Sequence, residues 1–508
     1  MKKSFITSLL VTTINAFAQS PDLGKGIYGG IMMQGTFSDG TNAPFWLTAN
    51  EYGLPSIENN SGFLRGAVFR SAQEDHHKRH WDIGYGADLV VPVNHTSDFF
   101  VQQLYADVRW FKGMLTIGQK EQPLQLKNNS LSSGSQTFGR NARPYPEIRL
   151  ALPNYWEIPG TKGFLSFKGH IAFGMFTDNH FQKDFTNGTG SYDQNVLMHT
   201  KAGYLKFGKK EKPFSVEAGL EMASQFGSTH YEIHNGTYTK IKNGRDLKSF
   251  WYAFKGGGAD ATDGTVQNNE GNMLGSWVLR LNYNTPKATY GLYADHFFED
   301  HSAMFHINYD GYAYEDGHMK KKSNRFRFYP LRDIMLGGDV RLKQCDWLSE
   351  AVVEYIYTKY QSGPVYIDRT PEMPNQIAGV DNYYNNGIEP GWQHWGQTLG
   401  NPLYLSPIYN TNGNLDFQCN RFVAWHVGIA GYPTRNLHYN LHASWQEGLG
   451  TYDRPYPNPK HNVSVGIAAD LKCDHLYHGL KIGVALGFDR GGLMGNNTGG
   501  SIAIGIVR

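Results

Sequence analysis

The chain has few cysteines, no long apolar run and almost no net charge. Its three cysteines, Cys345, Cys419 and Cys473, are an odd set without metal-site spacing, and at most one disulfide can join two of them. Beyond the N-terminal residues no stretch approaches the roughly 18 apolar residues of a membrane-spanning helix. Lysine plus arginine total 47 and aspartate plus glutamate 45; setting aside Lys2 and Lys3 leaves 45 against 45. That balance lacks the basic surplus of a nucleic-acid-binding protein, so no nucleic-acid partner is expected. Phosphate-binding loops, H-E-x-x-H and nucleophile elbows are absent, so no cofactor, no metal and no enzyme activity are expected.

Glycine (59), tyrosine (31), phenylalanine (29) and tryptophan (11) are abundant, and apolar residues recur every second position. In GLKIGVALGFD, Leu480, Ile482, Val484, Leu486 and Phe488 share one face, and Lys481, Gly483, Ala485 and Gly487 the other, as a strand requires. The same period recurs in NVSVGIAADL, NLHYNLHASWQ and SIAIGIV. The chain opens with Lys2 and Lys3, an apolar run from Phe5 to Val11, and Ala16-Phe17-Ala18. This reads as a signal peptide over residues 1–18, leaving residues 19–508 as one exported domain.

Loop lengths separate a barrel from a soluble sandwich. From residue 196 onward, short turns (208–213, 285–287, 344–348, 432–436, 473–478) alternate with longer loops (225–273, 299–332, 360–420, 447–460, 489–499). Short periplasmic turns and long external loops are the pattern of a transmembrane antiparallel outer-membrane β-barrel. The alternation slips once, at LSSGSQTFGRNARPYPEIRL (131–150). Reading 120–145 as an external loop and EIRLALP as a strand restores it, for about 18 strands with both termini periplasmic. Trp110, Trp277, Trp445, Tyr204 and Tyr283 fall near strand ends, where aromatic girdles sit. A monomeric barrel in outer-membrane lipid is expected.

With the apolar face toward lipid, Asp107, Arg109, Lys168, His170, Glu217, Glu221, Arg280, Asp339, Arg341 and Glu354 face the lumen. Both signs occur together, as in ion pairs between neighbouring strands, whereas a selective ion pore favours one sign. The 360–420 loop carries Tyr383, Tyr384, Trp392 and Trp395 among Asn, Gln and His. Flat apolar faces beside neutral donors suit sugars, or a loop packed on itself. Arg140, Arg143 and Arg149 have the bidentate geometry for carboxylates of an acidic glycan, or for bracing the loop against lumen acids. His442-Ala443-Ser444 is similar to an outer-membrane phospholipase pattern, but the alternation points both polar residues into the lumen, away from lipid. His76, His77 and His80 read as a solvated periplasmic turn.

Four stretches resemble the capsule-assembly Wzi family of outer-membrane proteins, in its Bacteroidetes form: NAPFWLTANEYG (42–53), IGQKEQPLQLKNNSLSSGSQTFGRNARPYPEIRL (117–150), KGHIAFGMFTDN (168–179) and GWQHWGQTLGNPL (391–403). The resemblance implies an 18-stranded, non-catalytic, lectin-like barrel that helps to assemble or retain capsular polysaccharide at the cell surface. The chain departs from family members that carry a periplasmic helical segment, since no amphipathic helix of useful length is legible. It also ends in Ile506-Val507-Arg508, where many barrels end in an aromatic residue. The competing expectations are a substrate-selective porin for oligosaccharides and, third, an outer-membrane lipid hydrolase.

Overall fold

The alternating strands close into one cylinder. The computed structural model describes residues 24–72, 81–256, 271–299, 332–361 and 381–508 except 388, plus the backbone of short strand pairs within 306–327 and 365–378. The expected signal peptide, His76, His77 and His80, and most of the 299–332 loop lie outside the described residues.

The wall strands are β1 Ile27–Asp39, β2 Asn60–Arg70, β3 Trp81–Val93, β4 Phe100–Trp110, β5 Gly113–Gln119, β6 Pro146–Glu157, β7 Leu165–Met175, β8 Leu197–Phe207 and β9 Phe214–Phe226. They continue with β10 Asn272–Asn284, β11 Ala288–Glu299, β12 Ile334–Leu342, β13 Glu350–Tyr357, β14 Phe422–Thr434, β15 Leu437–Gly450, β16 Pro455–Lys472, β17 Leu480–Gly491 and β18 Asn497–Val507. Each pairs antiparallel with the next, and β1 pairs with β18 from Gly30↔Val507 to Asp39↔Thr498, so the 18-stranded sheet has no edge. Closure leaves no edge strand to meet lipid unpaired, the condition for a sheet to cross a bilayer. EIRLALP falls within β6, and the up-down order holds throughout.

Outside the wall, Ile31, Met33, Leu64, Leu150, Leu292, Leu486 and Ile502 are exposed. Such a girdle far exceeds the apolar patch of a soluble monomer and faces lipid. Trp110, Tyr283 and Trp445 are exposed on it. Tyr204 corrects the girdle assignment: it points into the lumen, buried, and its hydroxyl donates to Glu221 Oε1 at 2.7 Å.

Three loops from the loop end of the barrel fold back inside it. Residues 40–59 carry the short 3₁₀ turn Phe45–Leu47, residues 120–145 run deepest, and residues 381–421 lie over them. Their side chains share an apolar core with the wall, including Phe45, Trp46, Trp392, Tyr383, Tyr384, Tyr404 and Phe417 from the loops and Phe297, Ile356 and Phe422 from the strands. Small residues on the lumen face make the room. A Cβ at Gly428 would stand 2.4 Å from the Leu131 carbonyl oxygen, and one at Gly466 would stand 2.7 Å from the Trp46 Cβ. Gly428→Val is therefore expected to loosen the plug by about 1–3 kcal/mol, the usual scale of overpacking. Protease sensitivity of residues 120–145 should rise while the heat-modifiable gel shift of the closed barrel is retained.

Candidate functional site

The plug is latched by buried carboxylates on the wall. Glu354 on β13 accepts from Ser132 Oγ at 2.5 Å and from the Ser133 N–H at 2.7 Å. Asp295 on β11 accepts from Lys127 Nζ at 2.6 Å and from the Gln136 N–H at 3.1 Å. Ser135 Oγ donates to Glu221 on β9 at 3.3 Å. A charge removed from water is stable only when so paired; each acid here holds loop 120–145 at a fixed height. Above it, Trp392 Nε1 donates to the Thr137 carbonyl at 3.0 Å, Tyr404 OH to Gln136 Oε1 at 2.7 Å, and Tyr383 OH to Asp333 Oδ2 at 2.9 Å. The Tyr384 hydroxyl donates to the Gln136 carbonyl.

The expected lumen charges keep their face but not all their partners. Pairs within the wall are Arg341–Glu350 (2.9 Å) between β12 and β13, Lys206–Glu217 (3.9 Å) between β8 and β9, and Arg280–Asp339 (2.6 Å). The last reaches across β11 at Gly291, whose missing side chain leaves the passage open. Asp107 accepts from Lys120 Nζ at 2.5 Å, and Lys168 Nζ donates to Gln125 Oε1 at 2.7 Å. Arg109 shares the Asp107 face of β4. The expectation of pairing between neighbouring strands fails for Glu221 and Glu354, which bind the plug. Asp295 and Asp333 were missed, because nothing in a strand's period tells which inward acid will meet a loop folded back from residues far away in sequence.

The aromatic candidates divide. Tyr383, Tyr384 and Trp392 have 0% exposure, which corrects their expected contact with glycan: they form the core of the plug. Trp395 is half-buried at its outer surface. It occupies a two-residue hairpin, with Gln393 paired to Thr398 and His394 to Gln397. Trp395 (φ 56°) and Gly396 (φ 75°) are both left-handed, the geometry of a type I′ turn. A bulky residue there is strained, and such strain collects at ligand-binding positions. The Trp395 N–H donates to Asp178 Oδ2 at 3.1 Å.

Arg143 lies beneath that ring, its guanidinium carbon 4.4 Å from the Trp395 centroid and 3.7 Å from the Phe100 centroid. It is 3% exposed, and Nε has no hydrogen-bond partner among the described residues. Burial lowers its pKa from the usual arginine value, with Asp178 opposing. Arg140 has the bracing role: its guanidinium donates to the carbonyls of Asn129 and, at 2.9 Å, Asn50. Arg149 Nη1 lies 3.4 Å from Glu147 Oε1. Arg143, Arg149, Trp392, Tyr145 and His170 line one cavity of about 100 Å³ between the plug and strands β6 to β8. A second cavity of about 380 Å³ lies under the 40–59 loop, against the small-residue faces of β16 to β18.

Trp395 packs over a buried aromatic cluster that includes Phe181 and Tyr192. Helix α1, Asn179–Thr186, places Phe181 5.9 Å from the Trp395 ring, and Tyr192 stacks on Tyr231 at 4.7 Å. Asn410, Asn414 and Gln418 follow on the same 381–421 loop.

His394 fixes this outer surface. Its Nε2 faces the Thr177 N–H at 3.2 Å, so it accepts there, and Nδ1–H donates to the Arg143 carbonyl at 2.7 Å. Burial pulls its pKa below the ordinary histidine range of about 6.5. A protonated ring has no acceptor left for Thr177, so the hairpin is expected to hold fully above that range and loosen as pH falls below it. Limited proteolysis of the external loops at pH 7.5 and pH 5 checks this; equal cleavage would contradict it.

His442 and Ser444 face the lumen as expected. Ser444 Oγ accepts the Trp46 indole N–H at 3.0 Å, and His442 stacks on that indole at 5.0 Å. Both are committed to seating the 40–59 loop rather than to each other, which removes the basis for a nucleophile and base pair. Among the described residues no cluster suited to a metal ion occurs.

The closed, plugged cylinder with a lipid-facing girdle is an outer-membrane β-barrel. Its fold is similar to that of Wzi from Escherichia coli, described as an outer-membrane protein involved in group 1 capsule assembly and a carbohydrate-binding β-barrel: 12% identity, 94% of this chain and 84% of that one covered, TM-score 0.52. OprD of Pseudomonas aeruginosa matches at 9% identity over 97% of both chains, with a TM-score of 0.44. OccK5 of the same organism matches at 8% over 95% and 98%, with a TM-score of 0.45. No family model and no curated protein sequence matches the chain.

Proposed function

We propose that this barrel is an exported, non-catalytic surface lectin of the outer membrane, which binds capsular or other surface polysaccharide at its external face and keeps it on the cell. The observation that carries the reading is the plug. Three loops fill the lumen around one aromatic core and are latched to the wall by Glu221, Asp295 and Glu354. A barrel built so holds its external surface rigid, as suits a binding platform.

On that platform Trp395 offers a flat ring, held in a left-handed turn and backed by the Arg143 cation, with Asn410, Asn414 and Gln418 further along its loop. These match the apolar faces and hydroxyls of a sugar. The carbohydrate-binding barrel among the structural neighbours and the four Wzi-like stretches support the same reading. The purified barrel, titrated with the host's own surface polysaccharide, should bind it. Absence of binding, together with uptake of an oligosaccharide into vesicles, would favour the porin, for which the 380 Å³ cavity is the remaining argument.

A further inference from the structure

The loop that follows β9 does not all rise over the mouth. After a hairpin at Thr229–His234 and Thr237–Lys242, it forms helix α2, Leu247–Lys255, closed by the Asp246 side chain accepting from the Ser249 N–H at 2.9 Å and by left-handed Gly256. This helix lies against the outside of the wall. Phe250 is 5.3 Å from Phe173 and 5.1 Å from Phe226, and Phe254 is 5.6 Å from His199. Phe173, His199 and Phe226 occupy outward positions on β7, β8 and β9, alternating with inward His170, Thr200 and Gln225.

Lys201 explains why a helix is needed there. It stands on the outward face of β8, paired with Ile171 and Met222 on the adjoining strands, where a bare ammonium would meet lipid at a high cost. Instead its Nζ donates to the carbonyl of Phe254 and lies over that residue's ring. The negative end of the helix covers the charge. The rest of α2 is left facing outward. Leu247 is 89% and Trp251 58% exposed, one turn apart on the helix. Arg245, Lys248 and Lys255 are exposed beside them, with Asp246 the one acid in 245–255, held by its cap.

We propose that α2 is an interfacial anchor, seated in the outer leaflet beside the barrel, that inserts Leu247 and Trp251 among acyl chains and binds phosphate-bearing lipid headgroups through Arg245, Lys248 and Lys255. An apolar edge beside a basic face is the pattern of helices that lie in a membrane interface, and tryptophan settles at that depth. The proposal stands apart from the polysaccharide site, which the following tests do not involve.

In phosphatidylcholine vesicles, the fluorescence difference between the wild-type barrel and Trp251→Phe isolates this indole from the other ten. It should be quenched more by lipid spin-labelled at acyl carbon 5 than at carbon 12. A Trp251 signal quenched by neither would place the helix off the bilayer and overturn the proposal. In neutral-detergent micelles, adding diphosphorylated lipid A should raise the wild-type Tm by several degrees. Arg245→Ala/Lys248→Ala/Lys255→Ala should lose at least half of that rise while keeping the heat-modifiable gel shift. An equal rise in the triple variant would show that the basic residues do not hold the phosphates.

Discussion

Deleting residues 124–142 is expected to convert a barrel with no steady conductance in planar bilayers into one with long-lived open channels. The closed ladder from β1 to β18 does not depend on the plug, so the deleted form should still insert and show the heat-modifiable shift. What it loses is the layer through which Glu354, Asp295 and Glu221 tie the loop to the wall. A milder variant separates latch from filler. Asp295→Ala strands Lys127 without its partner in a buried site, an unfavourable change of about 3–5 kcal/mol, and brief openings should appear against a closed baseline. Equal steady conductance in wild type and deletion would mean that the plug is not the seal.

Trp392 and Trp395, grouped together by composition, should behave oppositely. Trp392→Ala removes a fully buried ring and its bond to the Thr137 carbonyl. It should weaken plug packing by about 3–5 kcal/mol and give channel openings like those of Asp295→Ala. Trp395→Ala removes a half-buried ring and leaves the left-handed turn, whose strain any residue with a Cβ shares. It should leave the plug closed yet weaken polysaccharide binding about five- to tenfold, the loss of roughly 1 kcal/mol of stacking. Binding titrations and bilayer recordings on both variants check this. A Trp395→Ala barrel that binds as the wild type does would remove the site from this hairpin.

The wall was legible because lipid imposes one rule on every strand. Alternation such as Leu480, Ile482, Val484 marks the outer face, and the slip near residue 131 pointed to β6. The plug was not legible, because its contacts join residues far apart in sequence, as Trp46 joins Ser444, 398 positions away, and Gln136 joins Asp295, 159 away. Its trace in the sequence was indirect: glycines on the inward face at positions 428 and 466, where a loop backbone comes close. Tyr383, Tyr384 and Trp392 looked like a binding surface because composition alone does not distinguish a ring that stacks on sugar from one that fills a lumen. Helix α2 escaped notice for a related reason. In LKSFWYAFK six of nine positions are apolar or aromatic and they are spread around the helix, so no single apolar stripe marks it.

The most direct test of surface retention is to delete the gene in the native host and measure polysaccharide in two fractions, cell-bound and shed, with complementation by wild type and by Trp395→Ala. Polymer made in the usual amount but moved to the medium, returned to the cell by the wild-type gene and only partly by Trp395→Ala, is the predicted result. An unchanged distribution, accompanied by poor growth on an oligosaccharide, would contradict it and make the barrel a pore.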